Sequence, residues 1–362
     1  MATTLPLADE TVTVVGAGIG GLSAACYLAD AGADVTVLER HDRPGGLAGR
    51  IEDDGFTFDT GPSWYLMPDV FERFFEDFGR SPSDYYTLER LDPNYRVFFT
   101  DGDQVDIPAD PEQAREIFAS YEAGGGEAFD EYLEEAEYVY HVGMDRFVYV
   151  DRPRLRDWVD LDVVRSAPGM KLLRSMDEYV STYFDNPKLK QLVQYTLVFL
   201  GGSPYNTPSL YTLMSHVDYN LGVYYPEGGF YSVVEALSDL ATELGATVET
   251  GVDVTGIRPA ANGLQVETQE GSQLADTVVG NANHAHIEKD LLPDRYREHD
   301  DEYWDSLTWA PSAYMLYLGV EGDLEGLDHH TLVLPTDWKP HFDAIFEDPA
   351  WPDDPAYYVN VP

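Results

Sequence analysis

Apolar positions along the chain change period several times, and the changes divide it into elements. TVTVV, residues 11–15, is a β-branched run that ends at a glycine-rich turn. LSAACYLADAG follows with helical composition and stops at Gly32, a residue suited to a C-cap. DVTVL, residues 34–38, is a second apolar strand. Strand, helix and strand within ~30 residues make a βαβ unit, and hence a parallel sheet at the N-terminus. After Pro68, the phenylalanines 71, 74, 75 and 78 recur at i, i+3, i+4 and i+7, an aromatic helix face that we read as core packing. Residues ~111–200 are mainly helical in pattern, until Gly201-Gly202-Ser203-Pro204 breaks it. FYSVVEALSDLATEL, 230–244, is another amphipathic helix. Two alternating runs follow, ATVETGVDVTGIRP and GLQVETQEG, with Asn262-Gly263 supplying a hairpin-type turn. SAYMLYLGV, 312–320, predicts a buried strand. The pattern specifies an α/β fold, a Rossmann-like nucleotide-binding domain that starts with the βαβ unit, is interrupted by a helical insertion and resumes near residue 222.

Composition narrows this frame. Of 362 residues, 44% are hydrophobic and 13% aromatic, which supports a large core and excludes global disorder. Lysine and arginine number 22 against 66 acids, a net charge of −44 that excludes nucleic-acid binding. The acids are spread between apolar segments, and the only lysines are Lys171, Lys188, Lys190, Lys289 and Lys339. Such a surface fits a cytoplasm holding molar salt, where the Debye length is ~3 Å and self-repulsion is screened. We therefore expect a cytoplasmic protein from an extreme halophile. Cys26 stands alone, so no intrachain disulfide or paired-cysteine site forms. No run reaches the ~18 apolar residues of a membrane span. Contact with a membrane surface stays open, and the sequence specifies no oligomeric state.

The chemistry begins at Gly16-Ala17-Gly18-Ile19-Gly20-Gly21, which satisfies GxGxxG through Gly16, Gly18 and Gly21. The motif is weak alone, but here it follows a strand, opens a helix and precedes a strand ending in an acid. Gly16 permits the tight turn, Gly18 lets the backbone approach a pyrophosphate, and Gly21 lets helix pack on strand. Glu39 ends the second strand, where a carboxylate accepts hydrogen bonds from both ribose hydroxyls and disfavours a 2′-phosphate.

ERHDRPGGLAG comes next. It resembles the ER-x-x-x-x-GG extension of the flavin amine-oxidase superfamily, which implies FAD rather than NAD. By that resemblance Arg40, Gly45 and Gly46 belong to the cofactor loop. The superfamily often has a basic residue directly after the glycines. Leu47 stands there, and Arg50 is near enough in sequence to substitute. FTFDTGPSW resembles the D-x-G-P-[ST] segment, placing Asp59, Gly61, Pro62 and Ser63 near the cofactor or the substrate face of the isoalloxazine.

GPSWYLMPDVFERFFEDFG, the 209–229 segment and GNANHAHIEKDLLP are similar to bacterial and archaeal carotenoid desaturases of the phytoene desaturase type, a likeness that runs from about Thr11 to Pro362. It implies that Tyr225-Pro226-x-Gly228-Gly229 leads into a helix of the FAD domain, that Val254 presents backbone groups to the adenine and that Asn281 lies near the flavin. Read without it, Tyr225 and Trp64 are ordinary core and Gly228-Gly229 is a turn into a helix. The resemblance places the FAD domain at 1–85 and 222–288. The substrate domain is then 86–221 and 289–362, with a membrane-facing helical insertion at about 111–220. Full-length members carry a C-terminal segment with a second glycine-rich FAD motif. No such run is present, so the resemblance implies a chain lacking about the last quarter of the protein.

The implied reaction is desaturation of a lipophilic carotenoid by hydride transfer to the flavin, at a peripheral membrane site. Arg156-Asp157 resembles an Arg-Asp pair at the start of the family's helical region, which makes Asp157 the candidate acid/base; a solvated surface acid is the alternative. Rival readings are a carotenoid isomerase or ketolase, an amine-oxidase-like enzyme, and an inactive fragment or scaffold. A serine hydrolase lacks its GxSxG elbow. No metal site is expected, because His284-x-His286 and His329-His330 lack the HExxH spacing.

Overall fold

The structure is a computed structural model that describes residues 7–151, 154, 174–308, 310–322 and 324–362. The first part of the chain forms β1 (Thr11–Val15), α1 (Ile19–Asp30), β2 (Asp34–Glu39), β3 (Arg50–Asp53), β4 (Phe56–Asp59) and α2 (Pro68–Glu76). It continues through β5 (Leu88–Arg90), β6 (Tyr95–Phe99), β7 (Gln104–Ile107), α3 (Pro111–Tyr121), α4 (Gly125–Gly143), α5 (Met176–Val180) and α6 (Pro187–Gln194). After β8 (Tyr224–Pro226) and α7 (Tyr231–Glu243) come β9 (Thr247–Thr250), β10 (Val254–Ala260), β11 (Gly263–Thr268), β12 (Gly271–Ala275) and β13 (Thr277–Gly280). The last elements are β14 (His330–Leu334), α8 (Lys339–Phe346) and β15 (Tyr357–Asn360).

β13, β1, β2 and β9 form a parallel sheet in that order. Its central strands are β-branched and buried because helices cover parallel sheets. Leu22, Ala25, Cys26 and Ala29 of α1 pack with Val233, Ala236, Leu237 and Leu240 of α7 in one apolar core. Phe75 is buried there too, and Phe71, Phe74 and Phe78 pack against the same core, so the aromatic stripe is packing. β10, β11 and β12 form an antiparallel meander that turns at Asn262-Gly263, where Gly263 takes a φ of +106°.

A second core lies between α3–α6 and a mixed sheet ordered β15-β14-β6-β7. β14 runs parallel to β6, so residues 330–334 return to the same layer as residues 95–107. Tyr95, Val97 and Phe99 on β6 and Leu332 and Leu334 on β14 face this core.

SAYMLYLGV corrects the sequence reading. Residues 312–320 form no strand, and Tyr314, Met315, Leu316 and Leu318 are 77%, 57%, 64% and 66% exposed. Apolar composition supplied the strand signal, but a strand needs a neighbouring sheet edge. Among the described residues this segment has none; it leans on the β3–β4 hairpin, with Tyr317 5.6 Å from the Phe58 ring.

Candidate functional site

The β1–α1 turn is built from constraints that only glycine meets at two of its positions. Gly16 takes a φ of +102° and donates its N–H to Leu38 O at 2.8 Å, tying the turn to β2. A Cβ on Gly21 would sit 2.0 Å from Gly16 O, so α1 approaches the turn backbone directly. Gly18 is different. Its φ is −72°, and an added Cβ would meet nothing nearer than Gly46 Cα at 3.9 Å. Gly18 therefore shapes a cradle at the N-terminus of a 12-residue helix that a side chain would fill, where N–H groups and the dipole favour anions.

The second glycine pair closes onto this cradle. Gly18 and Gly45 form a parallel bridge, and Gly45 N–H donates to Ala17 O at 2.8 Å. Gly46 has a φ of +61° and lies against Gly18. Leu47 is 91% exposed. Arg50 is engaged beside the loop, 3.5 Å from Glu52 and 3.7 Å from Glu235, with its guanidinium over the Tyr231 ring. Arg40 is exposed, its Nε on His41 Nε2.

Glu39, at the end of β2, is buried at 5% exposure. Its Oε2 accepts from Ala17 N–H at 2.9 Å and its Oε1 from His41 N–H at 3.0 Å, which aims both oxygens at the turn and leaves each a lone pair. The 251–252 backbone donates to His41 O and Glu39 O, bringing buried Val254 to the same end of the sheet. Asn281 N–H donates to Val15 O at 2.9 Å, and its side chain stands where a Cβ on Gly20 would reach. Gly16, Ala17, Gly18, Gly20, Gly21, Glu39, Gly45, Gly46, Val254 and Asn281 thus share the C-terminal edge of the parallel sheet, the usual ligand position in such folds. The cradle, the aimed carboxylate and the closing glycines fit a dinucleotide.

Gly61, Pro62 and Ser63 follow β4. A Cβ on Gly61 would sit 1.9 Å from Leu47 O, so this segment packs on the glycine loop. Asp59 has a structural job: it accepts from Tyr225 Oη at 2.6 Å and from Phe230 N–H at 2.7 Å, capping the start of α7. Gly228-Gly229 is the turn into that helix, with φ values of +83° and +99°.

The long-range partners of Ser63 escaped the sequence reading. Ser63 Oγ lies 3.0 Å from Tyr358 Oη, and Tyr358 Oη lies 2.7 Å from His330 Nδ1. The His330 ring stacks on Trp64 at 3.9 Å and 7°. Burial pushes His330 down to about 2, and the neighbouring His329 adds to the shift; burial pushes His329 itself down to about 4 against the pull of Asp59. Both imidazoles are therefore neutral near pH 7. Beneath Trp64 lies Tyr95, which donates to Asp218 at 3.0 Å. Asp218 is 1% exposed, and desolvation raises its carboxyl to about 7 against the hydrogen bond of Tyr95. Asp157 lies outside the described residues.

Residues 19–336 match the family described as flavin containing amine oxidoreductase. The chain is 61% identical over 358 residues to a carotenoid 3,4-desaturase of Haloarcula japonica, spanning 98% of this chain and 72% of that one. It is 35% identical to a zeta-carotene-forming phytoene desaturase of Myxococcus xanthus, over 97% of this chain and 68% of the relative. A putrescine oxidase structure shares the fold with a TM-score of 0.54 at 17% identity, covering 79% of this chain and 60% of that one.

Proposed function

The chain belongs to the flavin containing amine oxidoreductase family, and from that premise we propose that it is an FAD-dependent carotenoid desaturase, a CH–CH dehydrogenase acting on a C40 or C50 polyene. The observation that carries the substrate class is the 61% identity over 98% of the chain to a carotenoid 3,4-desaturase. We assign 1–85 with 222–288 to FAD binding and 86–221 with 289–362 to the substrate.

In this reading the α1 N-terminus and Gly18 receive the pyrophosphate, Gly45 and Gly46 close over it, and Glu39 accepts from the ribose. Ala17, Gly20, Arg40, Arg50, Val254 and Asn281 complete that surround. Bound there, the flavin supplies the two-electron oxidant that a hydrocarbon without ionisable groups requires. Gly61, Pro62 and Ser63, packed on the glycine loop, would lie close to it or to its substrate face. The wall of Trp64, His330 and Tyr358 carries no charge, so it accepts an apolar chain without the cost of desolvating an ion. Asp157 is the proposed acceptor of the second hydrogen, as a proton. Expression in a host that accumulates phytoene, and in one that accumulates a coloured acyclic carotene, tests this reading. A red-shifted pigment spectrum in either host is expected; unchanged pigment in both contradicts it.

We further propose that the substrate enters from a membrane surface. Among the described residues, no helix is long and apolar enough to cross a membrane. Val198, Phe199 and Leu200 are 55%, 46% and 44% exposed, at the end of the Tyr195–Leu200 turn that follows α6. The Phe199 ring is 5.3 Å from Trp64, so this apolar turn leads inward to the His330 wall. Molar salt limits repulsion between an acidic protein and anionic lipid to ~3 Å, and apolar insertion gains ~25 cal/mol per Å². Phe199→Asp is expected to abolish cosedimentation with liposomes in molar KCl while flavin stays bound. Leu197, which lies in the 111–220 insertion expected to face the membrane, is 0% exposed in the helical core. A charge there unfolds the domain instead, because α6 and the following turn point it inward. Cosedimentation of Phe199→Asp at the wild-type level would remove this doorway.

A further inference from the structure

The 284–304 segment, which follows β13 and Asn281, contains a side-chain cluster that the flavin reading does not use. His284 and Glu288 are four residues apart on one helical face, with His284 Nε2 3.6 Å from Glu288 Oε1. His299 comes back from the next turn and sets Nδ1 3.3 Å from Glu288 Oε2. The ligand atoms of the three residues all lie within 4.8 Å of one another. His284 Nε2 and His299 Nδ1 approach different oxygens of Glu288, so both nitrogens face one carboxylate, and about 3.4 Å separates neighbouring ligand atoms around an ion with bonds of roughly 2.0–2.2 Å.

The cluster is held from outside. Glu288 is 4% exposed, and its two oxygens accept the backbone N–H groups of Glu298 at 3.1 Å and His299 at 3.2 Å. Those donors fix the carboxylate and leave lone pairs facing the imidazoles. His299 Nδ1 is buried and makes no aligned hydrogen bond to the oxygen 3.3 Å away. Trp304 stands edge-on to both rings, 5.2 Å from His284 and 5.6 Å from His299, and Tyr303 stacks on His299 at 3.9 Å. The arrangement is therefore two imidazole nitrogens and one carboxylate, oriented by backbone donors and aromatic walls, with His284 open to solvent. Ordered outer partners of this sort are typical of metal sites. His286 takes no part, because its Nδ1 is 2.6 Å from Asp290.

We propose that His284, Glu288 and His299 bind one divalent transition-metal ion of the zinc class. Imidazole ligands select such ions over Mg²⁺ and Ca²⁺, which prefer oxygen. The exposed side of His284 leaves a position for water. The ion would clasp the 284–291 turn to the 297–304 turn and so stiffen the chain next to Asn281, at the edge of the dinucleotide site.

The test is titration of the 362-residue chain, stripped with EDTA, with Co²⁺ and then Zn²⁺ in molar KCl. Saturable binding of one Co²⁺ per chain with a visible ligand-field band is expected, displaced by Zn²⁺ but not by excess Mg²⁺, and with a rise in Tm. His284→Ala changes an exposed side chain, so the metal-free Tm is expected to hold while Co²⁺ affinity falls at least tenfold. His286→Ala is expected to bind as wild type. No saturable binding, or unchanged affinity in His284→Ala, would overturn the site.

Discussion

Gly18→Val is expected to fold like the wild type and to lose FAD affinity by a factor of 100 or more, about 2.7 kcal/mol. The position has an ordinary φ of −72°, and the nearest protein atom to an added Cβ is 3.9 Å away. A valine at a helix N-cap costs about 1 kcal/mol of stability, which is small beside the binding loss. Its methyl groups fill the space at the α1 N-terminus that the pyrophosphate needs. Gly21→Val gives the opposite pairing. Its Cβ would lie 2.0 Å from Gly16 O, so it is expected to destabilise the βαβ unit and lose the flavin only as a consequence. Flavin absorbance of the purified variants, read beside Tm, separates the two. Wild-type flavin content in Gly18→Val would show that the cradle is not the phosphate site.

Asp218 is expected to make the helical core lose stability as pH rises from about 4 to about 7. Its carboxyl is raised from 3.8 to about 7 by burial, so the folded chain holds a proton in that window that the unfolded chain has released. A group that binds more protons in the folded state lowers stability with rising pH, here by about 1.4 kcal/mol per pH unit. The stabilising contribution is complete below the unfolded value and lost by the folded one. Asp218→Asn keeps the shape and removes the titration. Urea unfolding of both proteins at about pH 5 and about pH 8 is therefore expected to show the variant gaining a few kcal/mol relative to wild type at the higher pH. The other acids titrate in both proteins and cancel. A pH-independent difference would mean that Asp218 ionises normally.

What could be read from the sequence was local. Thr11–Val15, the Gly16–Gly21 turn, Ile19–Asp30 and Glu39 lie within one βαβ unit, so spacing alone placed the carboxylate beside the turn. The helices 111–121, 125–143, 187–194 and 231–243 showed in their periods for the same reason. The mixed sheet did not, although YRVFF alternates buried and half-buried positions, because β6 pairs with a strand more than two hundred residues later. Ser63, His330 and Tyr358 share one hydrogen-bonded chain only through that sheet. SAYMLYLGV misled because hydrophobicity reports a wish to be covered and says nothing of what covers it. Among the histidines, the adjacent His284-x-His286 drew notice, whereas the contact runs from His284 to Glu288 at i+4, a helical spacing that was visible, and on to His299, which was not.

The central claim is that this chain uses its flavin to dehydrogenate a polyene. The most direct measurement mixes FAD-loaded protein, without oxygen and in molar KCl, with a carotenoid carried in liposomes, and follows the flavin absorbance beside the pigment spectrum. Bleaching of the flavin matched by a red shift of the pigment, with no bleaching by putrescine or other soluble amines, is the predicted result. Bleaching by amines with the carotenoid unchanged would contradict it.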